Sequence, residues 1–120
     1  MKNLILISFI ITATFLSACS WKPEVTAVPI TAPWSTMNLP VTENAVVWAS
    51  TPVQFKAVHK DSKKVVLGKY TDALKAAGWK LEKFDDKVAD KFYVDMSKGG
   101  ETISIEIYDF SGTGVIIDKK

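Results

Sequence analysis

The sequence predicts an α+β domain in which one helix packs on a twisted antiparallel sheet of four to six strands, in the order β(β)αββββ. Three observations carry that expectation. A single stretch, 61–77, repeats its apolar residues at the helical period, with Val66, Tyr70, Ala73, Leu74 and Ala77 on one face. After it, apolar residues recur at every second position in successive short runs, the period of half-buried strands. The runs are joined by connections of hairpin length, two of them rich in glycine, which favours antiparallel pairing.

Each element follows from its own residues. Residues 45–50 and 53–58 are β-favouring runs separated by Thr51-Pro52, and they read as two strands or one bent strand. Asp61 or Ser62 offers an N-cap to the helix, and Gly78-Trp79 ends it: glycine accepts the left-handed position, and the next apolar residue packs back on the last turn. Gly68 inside the helix costs about 1 kcal/mol relative to alanine. Residues 79–84 alternate with Trp79 and Leu81 on one side. Residues 88–96 alternate with Val88, Phe92, Val94 and Met96 inward, and 101–110 with Ile103, Ile105 and Ile107 inward. Lys98-Gly99-Gly100 and Ser111-Gly112-Thr113-Gly114 supply the turns, and 114–118 forms a last strand.

Composition narrows the function classes. The chain has 120 residues, 15 basic against 13 acidic, and one cysteine. That length suits at most one small domain. The near-neutral balance argues against nucleic-acid binding, and one cysteine excludes a disulfide framework and a cysteine-built zinc site. Every basic residue is a lysine. Arginine, the side chain suited to bidentate phosphate recognition, is absent.

The first eighteen residues form an expected export signal: Met1-Lys2-Asn3, an apolar run from Leu4 to Phe15, then Leu16-Ser17-Ala18. A run of about a dozen residues fits a signal-peptide core and falls short of the roughly 20 that span a bilayer. Leu16-Ser17-Ala18-Cys19 resembles the lipobox of bacterial lipoproteins. The resemblance implies that signal peptidase II cuts between Ala18 and Cys19, that the Cys19 thiol carries a diacylglyceryl group, and that the freed amine is acylated. It implies a membrane partner held through acyl chains without any spanning helix. Lipoproteins of this type are sorted by the residues after the cysteine. Ser20 in place of an aspartate favours the periplasmic face of the outer membrane over the inner membrane.

From 19 to 44 the chain holds Pro23, Pro29, Pro33 and Pro40 without a helical or strand period, and it reads as a lipidated proline-rich tether ahead of a domain at 45–120. Trp21 suits the headgroup level of a bilayer. Trp34 docks either on the chain's own domain or on a partner.

Few residues suggest chemistry. His59 stands without a spaced second ligand or nucleophile and reads as a solvated or capping histidine. Asp85, Asp86 and Asp90 lack the ligand spacing and glycine of a calcium loop, so a solvated hairpin loop is expected. Ser111-Gly112-Thr113-Gly114 precedes a strand instead of a helix and reads as a turn. No catalytic residue, cofactor or metal site is expected. If the isoleucines face the helix, Tyr93, Glu106, Tyr108 and Ile116 face away. Tyrosines among isolated charges suit a partner-binding surface; the other reading is an ordinary solvated face of an antiparallel sheet, with Trp34 or the tether laid across it. The expectation is a non-catalytic binding or accessory module of the cell envelope, meeting another envelope protein or the cell wall through the sheet face or an exposed strand edge, with Tyr93, Glu106, Tyr108 and Trp34 as the candidate contacts. A small-ligand-binding or sensory lipoprotein is the alternative.

Overall fold

A computed structural model describes residues 21–88 and 90–120. Ala18 and Cys19 lie outside the described residues, with the whole export signal. Two strands, β1 (Ala45–Ser50) and β2 (Gln54–His59), precede the helix α1 (Lys63–Ala76). Four follow it: β3 (Lys80–Asp85), β4 (Phe92–Lys98), β5 (Glu101–Asp109) and β6 (Thr113–Lys119). They form one antiparallel sheet in the order β1-β2-β6-β5-β4-β3. The class is therefore α+β, with one α-helix and six strands among the described residues.

Strands β3 to β6 form a meander, each paired with the next in sequence, and the β1–β2 hairpin joins it through β2 and β6. Helix α1 links strands separated by β6, β5 and β4, so its connection runs both across the sheet and from one strand end to the other. Its end is set by the expected cap. Gly78 takes φ 96°, the Trp79 amide donates to the Leu74 carbonyl at 2.9 Å and the Gly78 amide to that of Lys75 at 3.0 Å. Those two bonds make a Schellman motif, and Trp79 is buried beside it.

Strand register lines up the core. Phe55, Ile117, Ile105, Val94 and Phe84 are successive neighbours across five strands, and Ala57, Val115, Ile107 and Phe92 form the next row. Val66, Tyr70 and Leu74 of α1 belong to the same buried cluster as these side chains, except that Phe92 is half-buried against the cluster and Phe84, at the end of its row, is exposed.

Three expectations are corrected. Strand β4 starts at Phe92; Val88 is 44% exposed in a loop, because alternation continued back to Val88 would have put Asp90 on the apolar face. Strand β3 starts at Lys80, and a bulge between Leu81 and Lys83 turns Leu81 and Phe84 to the same side. The stretch expected to be a tether is, in its described part, laid on the domain. Val28, Ile30, Leu39 and Val41 pack against the core, the Val28 amide donates to Val47 O at 2.9 Å, and Thr31 is bonded to Ser50. Proline stops this arm from joining the ladder fully but leaves its aliphatic side chains free to pack.

Candidate functional site

The face of the sheet opposite the buried cluster carries the expected surface residues. Tyr93 of β4 and Glu106 of β5 stand directly opposite each other, and Tyr108 follows two residues along β5 on the same side. Lys91 Nζ reaches Glu106 Oε2 at 3.0 Å, and the Glu106 carboxylate, ahead of the Tyr93 phenol, holds the lysine above its ordinary pKa. The Tyr108 phenol is pushed upward by partial burial and by Glu106. Tyr108 pairs with Gly114 across the β5–β6 ladder, and its ring fills the space a side chain would occupy there: a Cβ on Gly114 would come within 2.5 Å of it. Glycine at that position is what lets the tyrosine lie flat on the strand.

From Tyr108 an aromatic row extends toward β1. Its ring stacks on Phe110 with centroids 5.9 Å apart, Phe110 meets Trp48 at 5.8 Å, and Lys56 Nζ lies 4.9 Å from the Trp48 ring centre. Trp48 and Phe110 were not singled out by sequence reasoning. Trp48 is the residue that bulges out of β1, so alternation does not set its side; Phe110 continues the alternation of Glu106 and Tyr108 one step past the end of β5, so the signal for it was available. The buried Trp48 indole N–H has no acceptor among the described residues. Trp21 donates from its own indole to the Ser111 carbonyl at 2.9 Å, which brings the start of the described chain to the β5–β6 turn.

On the other side of Glu106 the face turns polar. Lys83, Asp85, Tyr93, Asp95, Ser104 and Lys120 line a shallow depression of about 220 Å³. Lys120 pairs with Asp95 at 3.6 Å, and Gln54 with Asp118 at 2.8 Å. The face is thus aromatic at one end and ionic at the other, with Tyr93, Glu106 and Tyr108 at the junction.

Trp34 is not part of this face. It is 1% exposed, packs on Phe55 with ring centres 5.9 Å apart, and donates from its indole to the Thr51 carbonyl at 2.6 Å. Of the two docking choices open to it, the structure places it on its own domain, and so removes it from the candidate partner residues.

His59 is also corrected. It is 2% exposed, and its Nε2 lies 2.7 Å from the Tyr70 hydroxyl of α1. The signal was available: Phe55 and Ala57 point inward, and one further step of two reaches His59. Loss of hydration lowers its pKa to about 4, against a smaller upward pull from Asp61. Ser111-Gly112-Thr113-Gly114 is a turn, with Ser111 and Gly112 both at positive φ and Thr113 Oγ1 donating to the Asp61 carbonyl at 2.7 Å. Asp86 and Asp90 sit in the β3–β4 connection, whereas Asp85, expected in that loop, is the last residue of β3 and stands opposite Tyr93 in the ladder.

A second concavity, about 330 Å³, lies between the Trp34–Thr36 turn, the end of α1 and the β4–β5 turn. Met37, Trp79 and Ile103 contribute its apolar wall and Lys98, Glu101 and Lys119 its charged one. These charges are already engaged: Lys98 Nζ donates to Ala77 O at 2.6 Å, and Lys119 pairs with Glu101 at 3.5 Å. No helix among the described residues is long and apolar enough to cross a membrane. Comparison of the chain with protein-family models, curated proteins and solved structures returns no match.

Proposed function

We propose that the chain is a lipid-anchored accessory module of the bacterial envelope, held at Cys19 on the periplasmic face of the outer membrane, which binds another envelope protein or the cell wall without catalysis. The reading takes α1 and the 28–41 arm as the cover of the sheet's apolar face, leaving the opposite face to a partner. Its support is the junction on that face, where Tyr93, Glu106 and Tyr108 sit together between an aromatic row and an ionic depression. Aromatic groups ringed by polar ones are the composition of interface centres.

Chemical crosslinking and pull-down of the full-length protein from native membranes tests it. Wild type is expected to recover a discrete envelope partner, and Tyr93→Ala with Glu106→Ala to reduce that recovery at least about tenfold while the melting temperature stays close to wild type. Tyr108 is left in place because its ring covers Gly114. Undiminished recovery by the double variant would refute the surface. In the same fractions, Cys19→Ala is expected to leave the membrane or to accumulate as an uncut precursor; normal membrane attachment of that variant would refute the anchor.

The alternative, a small-ligand or sensory lipoprotein, is favoured by one observation. The 330 Å³ concavity beside Trp79 falls at the lower end of the size range of ligand sites. It predicts a melting temperature raised by ligand and unchanged by the Tyr93 and Glu106 substitutions.

A further inference from the structure

The sheet has two edges, and the structure treats them differently. Edge strand β1 is covered by the N-terminal arm, through the bond from Val28 to Val47 and those between Thr31 and Ser50. No main-chain hydrogen bond from outside the sheet reaches the other edge, β3, among the described residues. That edge also carries unusual exposure for its composition: Leu81 is 39% and Phe84 45% exposed, and Phe84 meets the half-buried Phe92 at 5.9 Å.

Strand β3 reads Lys80-Leu81-Glu82-Lys83-Phe84-Asp85. Laid antiparallel against a copy of itself, Lys80 faces Asp85, Leu81 faces Phe84, and Glu82 faces Lys83; each charge meets its opposite and each apolar residue an apolar one. In a regular strand this register fails, because residues 80 and 85, like 81 and 84, would point to opposite sides of the sheet. The bulge at Glu82 removes that obstacle. Leu81 lies beside Met96 and Phe84 beside Val94, both on the apolar side, while Lys80, Lys83 and Asp85 lie beside Ser97, Asp95 and Tyr93 on the other. With the bulges of both copies meeting at the axis, the faces match at every position.

We infer that β3 is a self-association edge: two copies of this chain pair through β3 about a two-fold axis perpendicular to the sheet, continuing one antiparallel sheet through both molecules. Such an interface is isologous, as a two-fold requires. Charged residues and a bulge are the usual means by which a sheet edge rejects other strands. Here the same charges are arranged to accept one particular strand, so attraction and discrimination come from the same residues. The joined edges would cover Leu81 and Phe84 of each copy, whose exposure is otherwise unaccounted for.

Sedimentation equilibrium of the full-length protein in density-matched detergent tests this. Wild type is expected to be a dimer. Glu82→Lys puts four lysines around the axis and is expected to weaken the dimer at least about tenfold, and adding Lys83→Glu is expected to restore it. Lys80→Glu and Lys80→Glu with Asp85→Lys repeat the test at the strand ends, so that a folding defect at the bulge, read by thermal melting, does not decide the matter. A monomeric wild type at about 100 µM, or single variants that dimerise as well as wild type, or swaps that restore nothing in folded protein, would overturn the pairing. None of these readouts depends on the Tyr93 and Glu106 face.

Discussion

Replacing Trp34 with alanine is expected to destabilise the domain by about 3 to 5 kcal/mol, the usual cost of truncating a buried tryptophan. The side chain is 1% exposed, stands against Phe55 in the sheet's apolar layer, and has Met37 buried beside it. Alanine would open a void there and also leave the Thr51 carbonyl without the indole donor that meets it at 2.6 Å. A small domain holds about 5 to 15 kcal/mol in total, so the loss is a large share of what is present. Urea denaturation of wild type and Trp34→Ala measures it. Trp34→Phe is expected to recover part of the loss, since it restores packing but not the hydrogen bond. A loss for Trp34→Ala below about 0.5 kcal/mol, the range of ordinary surface substitutions, would mean that the arm is a spacer after all and that the core begins at β1.

How far the fold was legible depended on whether the deciding information was local. The end of α1 was, because Gly78 and Trp79 specify a cap by themselves. The inward faces of β4 and β5 were, because a period of two needs no knowledge of the neighbouring strand. Tyr93, Glu106 and Tyr108 share a face for the same reason. What escaped depended on register or on distant partners. Nothing near Gly114 announces that Tyr108 will lie across it; the pair exists only after β5 and β6 align. The bulge that sets Leu81 and Phe84 on one side is a property of the β3–β4 ladder, invisible in β3 alone. The arm was misjudged because proline constrains main-chain bonding, whereas Val28, Ile30, Leu39 and Val41 contribute through side chains. His59 was misjudged by ending β2 one residue early. The proposed partner and anchor rest on surface composition and on a leader motif, and neither has a local physical signature as sharp as a helix cap.

Lowering the pH from about 6.5 to about 4 is expected to cost the domain up to about 3 kcal/mol through His59 alone, at about 1.4 kcal/mol for each unit of displaced pKa. In the folded protein the imidazole ionises near 4, held down mainly by burial and helped by Lys69, with Asp61 pulling the other way; in the unfolded chain it ionises near 6.5. Between those values the unfolded chain binds the proton and the folded one does not, so stability rises with pH across that window. The contribution is intact above 6.5, is lost progressively as pH falls, and changes no further below 4. The geometry explains the resistance to protonation. Burial raises the Tyr70 phenol far above its usual pKa, so it remains neutral and shares one proton with His59 Nε2 across 2.7 Å. A second proton on the ring would place a charge in the buried layer. Urea midpoints at pH 7, 6, 5 and 4, for wild type and His59→Gln, separate this effect from that of the carboxylates. Glutamine keeps a polar partner for Tyr70 and does not titrate, so its pH dependence is expected to be shallower in this window. Equal losses in the two proteins would show that His59 is hydrated in the native state and that the burial argument fails.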